Sequence, residues 1–196
     1  MKPVRITIWS LKGGVGKTTI ALNLALDFHC GVITNERYTL LDKALERGRF
    51  LKLETTQSIP NIPKEHSIIF DMGGYIDARV AEACEQSDYI IIPTTPTKLD
   101  LQGCIGTIQE IQEVNKNIIV IINRVESEKD FTKAKSLIKK VGDFPIFQIK
   151  KSRTMQNLID EKKSISQISE QGGLKGYIVQ SLNDQWKEII NFITNN

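Results

Sequence analysis

The sequence predicts one doubly wound α/β domain over residues 1–196, a mostly parallel β-sheet with helices on both faces. Three observations carry this reading. Short apolar runs alternate with amphipathic stretches along the whole chain, as strands joined by crossover helices do. Residues 118–122 are five consecutive β-branched residues, the mark of a strand buried on both faces. No internal repeat, low-complexity tract or linker rich in Pro, Gly and Ser interrupts the pattern.

Residues 4–9 read as the first strand, with Trp9 in the core. Residues 18–28 then place Ile20, Ala21, Leu24, Ala25 and Phe28 on one helical face. Gly31 is a helix stop, and residues 32–34 form a short second strand. Residues 67–70 form a strand ending at Asp71, residues 79–86 a helix, and residues 89–92 a strand stopped by Pro93. Ile105, Ile108, Ile111 and Val114 give residues 99–114 helical spacing. After the strand at 118–122, residues 130–141 are helical and residues 146–149 are another strand. Two or three helices finish the chain; the last, residues 177–193, spaces Trp186, Ile189, Ile190 and Ile193 along one face. Parallel sheets bind ligands beyond the carboxyl ends of their strands. The loops at residues 10–17, 71–74, 93–98 and 123–124 are therefore expected to converge.

The first of those loops carries the chemistry. Lys12-Gly13-Gly14-Val15-Gly16-Lys17-Thr18-Thr19 stands between the first strand and the first helix. A phosphate chain needs several backbone N–H groups at close range, which glycines permit, and a helix N-terminus adds positive potential. Lys17 then reaches the outer phosphates and the Thr18 hydroxyl ligates Mg²⁺. The general phosphate-loop pattern places a glycine five residues before Gly16, where this chain has Leu11, and Lys12 precedes the paired glycines instead.

That form resembles the deviant Walker A motif of the ParA/MinD superfamily of ATPases, which implies a P-loop NTPase-like fold, ATP and Mg²⁺. The resemblance also implies an ATP-dependent homodimer, in which Lys12 crosses to the partner's phosphates and supplies the charge that other phosphoryl-transfer enzymes take from an arginine finger. Three further segments are similar to the family at matching places. Residues 68–74, Ile-Ile-Phe-Asp-Met-Gly-Gly, look like switch II, with Asp71 in the metal shell. Residues 91–100, through Pro93, Thr94, Thr95, Pro96 and Asp100, resemble the segment after the next strand. Asn123, with Arg124 after it, resembles the strand-terminal Asn that faces adenine. The match runs from residue 4 to about residue 125, and the short length resembles the small plasmid partition ATPases.

Switch I departs from the family. The usual Asp-x-Asp-Pro-Gln is replaced by Val-Ile-Thr-Asn-Glu-Arg-Tyr at residues 32–38. Glu36, with a longer reach, is the candidate for the carboxylate that orients the attacking water; Asp42 from the next turn is the alternative. Positioning is much of this catalysis, so binding and dimerisation are expected intact and basal hydrolysis slow.

Composition bounds the partners. The chain is 40% hydrophobic and 25% charged, as folded globular proteins are. No apolar run approaches the roughly 20 residues of a membrane-spanning helix, and the first residues lack the apolar block of a signal peptide. Cys30, Cys84 and Cys104 stand far apart, which argues against a disulfide framework and for a reducing cytoplasm. The net charge is +3, yet residues 133–163 hold nine bases against three acids. Lys139, Lys140, Lys150, Lys151, Arg153, Lys162 and Lys163 are candidates for nonspecific DNA binding, as in ParA-type relatives whose basic C-terminal region holds DNA. A nucleoid-associated location and a ParB-like centromere-binding partner follow from the same resemblance. MinD-type relatives end instead in a basic amphipathic helix that lies on membranes. Here the last helix ends Thr-Asn-Asn with no basic cluster, and is read as packing against the sheet. A nucleotide-dependent scaffold that hydrolyses poorly is the remaining alternative.

Overall fold

The structure, a computed structural model, describes residues 2–75 and 77–195. In chain order the elements are β1 (Arg5–Ile8), α1 (Lys17–Asp27), β2 (Gly31–Thr34), α2 (Leu41–Ala44), β3 (Phe50–Lys52), β4 (Ile68–Asp71) and α3 (Ala78–Glu85). There follow β5 (Tyr89–Thr94), α4 (Lys98–Ile111), β6 (Ile118–Val125), α5 (Glu128–Ile138) and β7 (Ile146–Lys150). The chain finishes with α6 (Arg153–Gln156), α7 (Leu158–Glu161), α8 (Ile165–Glu170) and α9 (Gly173–Asn195). Among the described residues, seven strands form one sheet in the order β3-β2-β4-β1-β5-β6-β7, and every pairing is parallel.

Successive strand residues point to opposite faces, and both faces are apolar. Ile6, Ile8, Ile69, Ile91, Ile119 and Ile121 pack against α1, α8 and α9. Ile68, Phe70, Ile90, Ile92, Val120 and Ile122 pack against α3, α4 and α5. β4, β5 and β6 therefore carry no polar alternation over their buried stretches, whereas β1 alternates through Arg5 and the buried Thr7. Cys30, Cys84 and Cys104 are free and buried, and burial pushes each thiol up to about 12.

The last helix is part of this core. Trp186, Ile189 and Ile193 are buried, and the Trp186 indole Nε1–H donates to Asp27 Oδ2 at 2.5 Å. Its apolar stripe is spent on the sheet. Burial raises the Asp27 carboxyl above the usual range despite hydrogen bonds from Ser164, Trp186 and Ser166. Trp186→Ala should cost about 3–5 kcal/mol, the usual loss for a buried aromatic. Urea unfolding measures it, and a midpoint equal to wild type would count against α9 as a structural element.

Three expectations change. The helix before β2 ends at Asp27 with Phe28 as its C-cap, the chain turns through His29 in the left-handed conformation (φ 49°), and Gly31 belongs to the strand, where a Cβ would stand 3.1 Å from Ile68 Cδ1. Pro93 does not stop its strand, since it pairs in register with Ile121. Ile90 donates toward β6 and Ile91 accepts from Trp9, so by alternation the missing Pro93 N–H falls on the β1 side. There β1 has already ended, and no ladder bond is lost. Finally, α2 and β3 lie in a stretch with no legible period, and four helices rather than two or three finish the chain.

Candidate functional site

The carboxyl ends of β1, β4, β5 and β6 bring the four expected loops together. After β1 the chain turns through Gly14 (φ 78°) and Gly16 (φ 103°), both left-handed, a conformation that costs glycine little. Gly16 is the N-cap of α1 and provides no side-chain cap, so the first N–H groups of the helix have no acceptor from that side chain. A Cβ on Gly16 would collide with the Asn123 amide. That amide donates to Val15 O at 2.9 Å, and Asn123 Oδ1 accepts from Arg124 N at 2.8 Å. Asn123 thus braces the loop from beneath.

Lys17 is buried, and its ammonium donates to Lys12 O at 3.3 Å across the loop. Burial lowers its pKa, while the Glu36 and Asp71 carboxylates pull it back up. Below it, Thr18 Oγ1 donates to Asp71 Oδ2 at 2.8 Å. Asp71 is wholly buried, and its other oxygen, Oδ1, has no hydrogen-bond partner. Burial raises the Asp71 carboxyl to about 6, against the Thr18 hydrogen bond and the Lys17 charge. An unpartnered buried carboxylate oxygen is rare in folded proteins. Beside a threonine hydroxyl at a phosphate loop, it fits the hard-oxygen preference of Mg²⁺, which keeps several waters and takes few protein ligands.

Glu36 follows β2, is half-buried, and its charge acts on both Lys17 and Asp71. Asp42 lies exposed on α2. Of the two switch I candidates, Glu36 faces the site.

A polar network beside Glu36 escaped the sequence reading. Asn35 Oδ1 accepts from Gly73 N at 2.7 Å, and Asn35 Nδ2 donates to Asp77 Oδ2 at 3.1 Å. Tyr75 OH donates to Asn35 O at 2.8 Å, and Arg79 pairs with Asp77 while donating to Glu54 O at 2.8 Å. These bonds tie the segment after β2 to the segment after β4. Asp77 is also the N-cap of α3, accepting from Arg79 N.

On the other side of the loop, Gly16, Thr19, Asn123, Arg124, Ser152 and Met155 line a narrow groove. Arg124, at φ 56°, also lines an adjoining cleft with Thr95, Thr97, Asp100, Glu126 and Lys151.

The seven basic candidates do not share one face. Lys139 and Lys140 follow the C-terminus of α5, at the amino ends of the strands and away from the phosphate loop, and Lys139 pairs with Asp143 at 3.0 Å. Lys150, Lys151 and Arg153 lie at the end of β7, on the loop side, with Lys151 paired to Glu126 at 2.7 Å. Lys162 and Lys163 are exposed between α7 and α8, beside α1. A net charge counted along the chain says nothing about which ends of the elements it occupies.

The chain resembles proteins already known. It is 23% identical over 217 residues to the Maintenance of carboxysome distribution protein A of Halothiobacillus neapolitanus, covering 97% of this chain and 96% of that protein. Its fold matches an ATP complex of a single-site variant of Cyanothece McdA with a TM-score of 0.65 at 15% identity, over 96% of this chain and 97% of that one. It also matches the septum site-determining protein MinD of Pyrococcus horikoshii, complexed with Mg-ADP, with a TM-score of 0.60 at 18% identity over 95% and 96%. Residues 6–173 match the family described as the CobQ/CobB/MinD/ParA nucleotide binding domain, and with its parallel sheet and glycine loop the chain belongs to this family of P-loop ATPases.

Proposed function

We propose that the chain is a Mg²⁺-dependent, ATP-switched dimer that holds nonspecific DNA and positions a cargo, a plasmid or chromosome, in the cell. The observation that supports it most is the convergence of Lys12, Lys17, Thr18 and the half-satisfied Asp71 carboxylate under one glycine loop. In this reading Gly13, Gly14, Val15, Gly16 and Thr19 present N–H groups to the phosphates, and Lys17 neutralises the outer ones. Thr18 and Asp71 would hold Mg²⁺, which when bound neutralises charge on the phosphates. The adenine lies in the groove walled by Asn123 and Arg124, with the Asn123 amide already committed to Val15 O.

Hydrolysis joins a water oxygen to the γ-phosphorus and breaks its bond to the β–γ bridging oxygen, which leaves on ADP. Glu36 accepts a hydrogen bond from that water and Lys12 of the partner subunit meets the developing charge. A glutamate swings on one more rotatable bond than an aspartate, so the water is held less firmly and the unstimulated rate is low. Thr34, which occupies the strand end, donates instead to Asp71 O at 2.6 Å and thereby joins the two switch segments.

Among the basic residues, Lys150, Lys151 and Arg153 stand on the nucleotide side, where ATP-made dimerisation can join two such clusters; Lys139 and Lys140 do not. Joining two clusters raises the effective concentration of phosphate contacts. Co-sedimentation with random-sequence DNA should therefore require ATP and Mg²⁺ and fall steeply with salt. Lys151→Ala/Arg153→Ala should weaken it about tenfold or more, and Lys139→Ala/Lys140→Ala by less than about twofold. Equal effects from both pairs, or binding that ignores nucleotide, would remove DNA from the proposal.

The resemblance to a carboxysome distribution protein favours a second cargo class, a protein assembly in place of a replicon. In either case the DNA-held switch proposed above would be the same. A cargo-bound adaptor that raises phosphate release tells them apart, a centromere-binding ParB-like protein for one and a protein bound to the assembly for the other.

A further inference from the structure

Residues 11 and 12, which lead into the phosphate loop, lean on α4. Thr107, wholly buried, accepts from Leu11 N at 3.0 Å and itself donates to Gly103 O at 2.7 Å. A Cβ on Gly103 would collide with Lys12 Cγ and stand 3.3 Å from Cδ and 3.4 Å from Cβ. The crowded atoms are the base of the lysine stem, so swinging the ammonium tip aside relieves nothing. Three residues on, Gly106 is different. There a Cβ would meet only Leu11 Cδ1, at an ordinary 3.6 Å.

The height of this seat is set from the start of the helix. Thr97 caps α4 by accepting from Asp100 N, and Thr95 Oγ1 donates to Asp100 Oδ2 at 2.5 Å. Glycine inside a helix is the poorest choice after proline. At Gly103 the absent side chain makes the space that the Lys12 stem occupies.

We propose that Gly103, with Thr107, is a positioning site for Lys12: the notch on α4 holds the lysine stem so that its ammonium is aimed outward at the partner's phosphates. Gly103 touches no nucleotide and acts through Lys12. The proposal rests on the reading of Lys12 as the lysine that crosses the dimer, and it adds the element that orients it.

The test compares wild type with Gly103→Ala, Gly106→Ala, Thr107→Val, Lys12→Ala and the Gly103→Ala/Lys12→Ala pair. Three quantities are read: ADP-Mg²⁺ affinity, thermal melting, and the ATP concentration needed for dimerisation. Gly103→Ala should raise that concentration about tenfold or more, the scale of a misplaced catalytic group, with ADP affinity within about twofold of wild type. Its melting temperature should stay near wild type, since the better helix propensity of alanine offsets the cost of displacing the Lys12 stem. Thr107→Val should shift dimerisation in the same direction, and Gly106→Ala should behave as wild type.

The double variant should be no worse than Lys12→Ala alone, since a seat has no function without its occupant. Additive losses, or normal dimerisation by both Gly103→Ala and Thr107→Val alongside a defective Lys12→Ala, overturn the seat. Normal dimerisation by Lys12→Ala itself would instead overturn the crossing-lysine reading on which it rests.

Discussion

Lys17→Ala should lower ATP affinity by about a hundredfold or more, because charge-assisted hydrogen bonds to phosphate contribute about 1.5–3 kcal/mol each and about 1.4 kcal/mol is a factor of ten. Phosphate release should fall to background. The fold should not suffer. The Lys17 ammonium is buried, its pKa is lowered by that burial, and its hydrogen bond is a long one to Lys12 O. Removing it relieves the cost of keeping a charge from water. Calorimetric titration with ATP and a thermal melt without nucleotide should therefore move in opposite senses, affinity down and melting temperature level or up. A melt that drops with the affinity would mean that Lys17 holds the loop together and is not reserved for ligand.

The second large effect is a pH dependence set by Asp71. Its carboxyl is raised from 3.8 to about 6, so between those pH values the folded chain holds a proton that the unfolded chain has lost. Stability in the absence of nucleotide then falls as pH rises through this window, by on the order of 3 kcal/mol for a shift of about two pKa units at about 1.4 kcal/mol each. A cation at Oδ1 requires the ionised form, so binding of ATP with Mg²⁺ should weaken as pH falls below about 6. Asp71→Asn should remove the neutral-pH penalty and stabilise the nucleotide-free protein. The same change should flatten the pH profile of binding and cut hydrolysis by about a hundredfold or more. Denaturation and nucleotide titration at pH 5, 6 and 7 read both effects. Destabilisation by Asp71→Asn at neutral pH would show that the buried carboxylate serves the fold.

The parts of the fold legible in the sequence are those in which one local rule decides the outcome. β6 is legible because burial on both faces leaves an unbroken Ile/Val run, and α1 because Ile20, Ala21, Leu24 and Ala25 recur at helical spacing, although Leu22 and Leu26 off that face are buried as well. The phosphate loop is legible because Gly14 and Gly16 sit where left-handed backbone is needed. Pro93 is misleading because its tolerance depends on where β1, a strand far away in sequence, comes to an end. The short α2 and β3 carry too few residues to show a period. Asn35 is illegible for a related reason: its partners Gly73 and Asp77 are contacts between two loops, and nothing in the chain between them announces the pairing. The basic stretch fails by geometry. Lysines near in sequence are sent to opposite ends of the strands, Lys139 and Lys140 before β7 and Lys150 and Lys151 at its end.

ATP-made joining of two copies through Lys12, proposed above, is read most simply from the mass in solution. Light scattering on a sizing column should give twice the monomer mass with ATP and Mg²⁺, and the monomer with ADP or without nucleotide. Lys12→Ala should stay monomeric with ATP while binding ADP as wild type does. A wild-type chain that remains monomeric with saturating ATP and Mg²⁺, or a Lys12→Ala chain that still doubles its mass, would contradict the account.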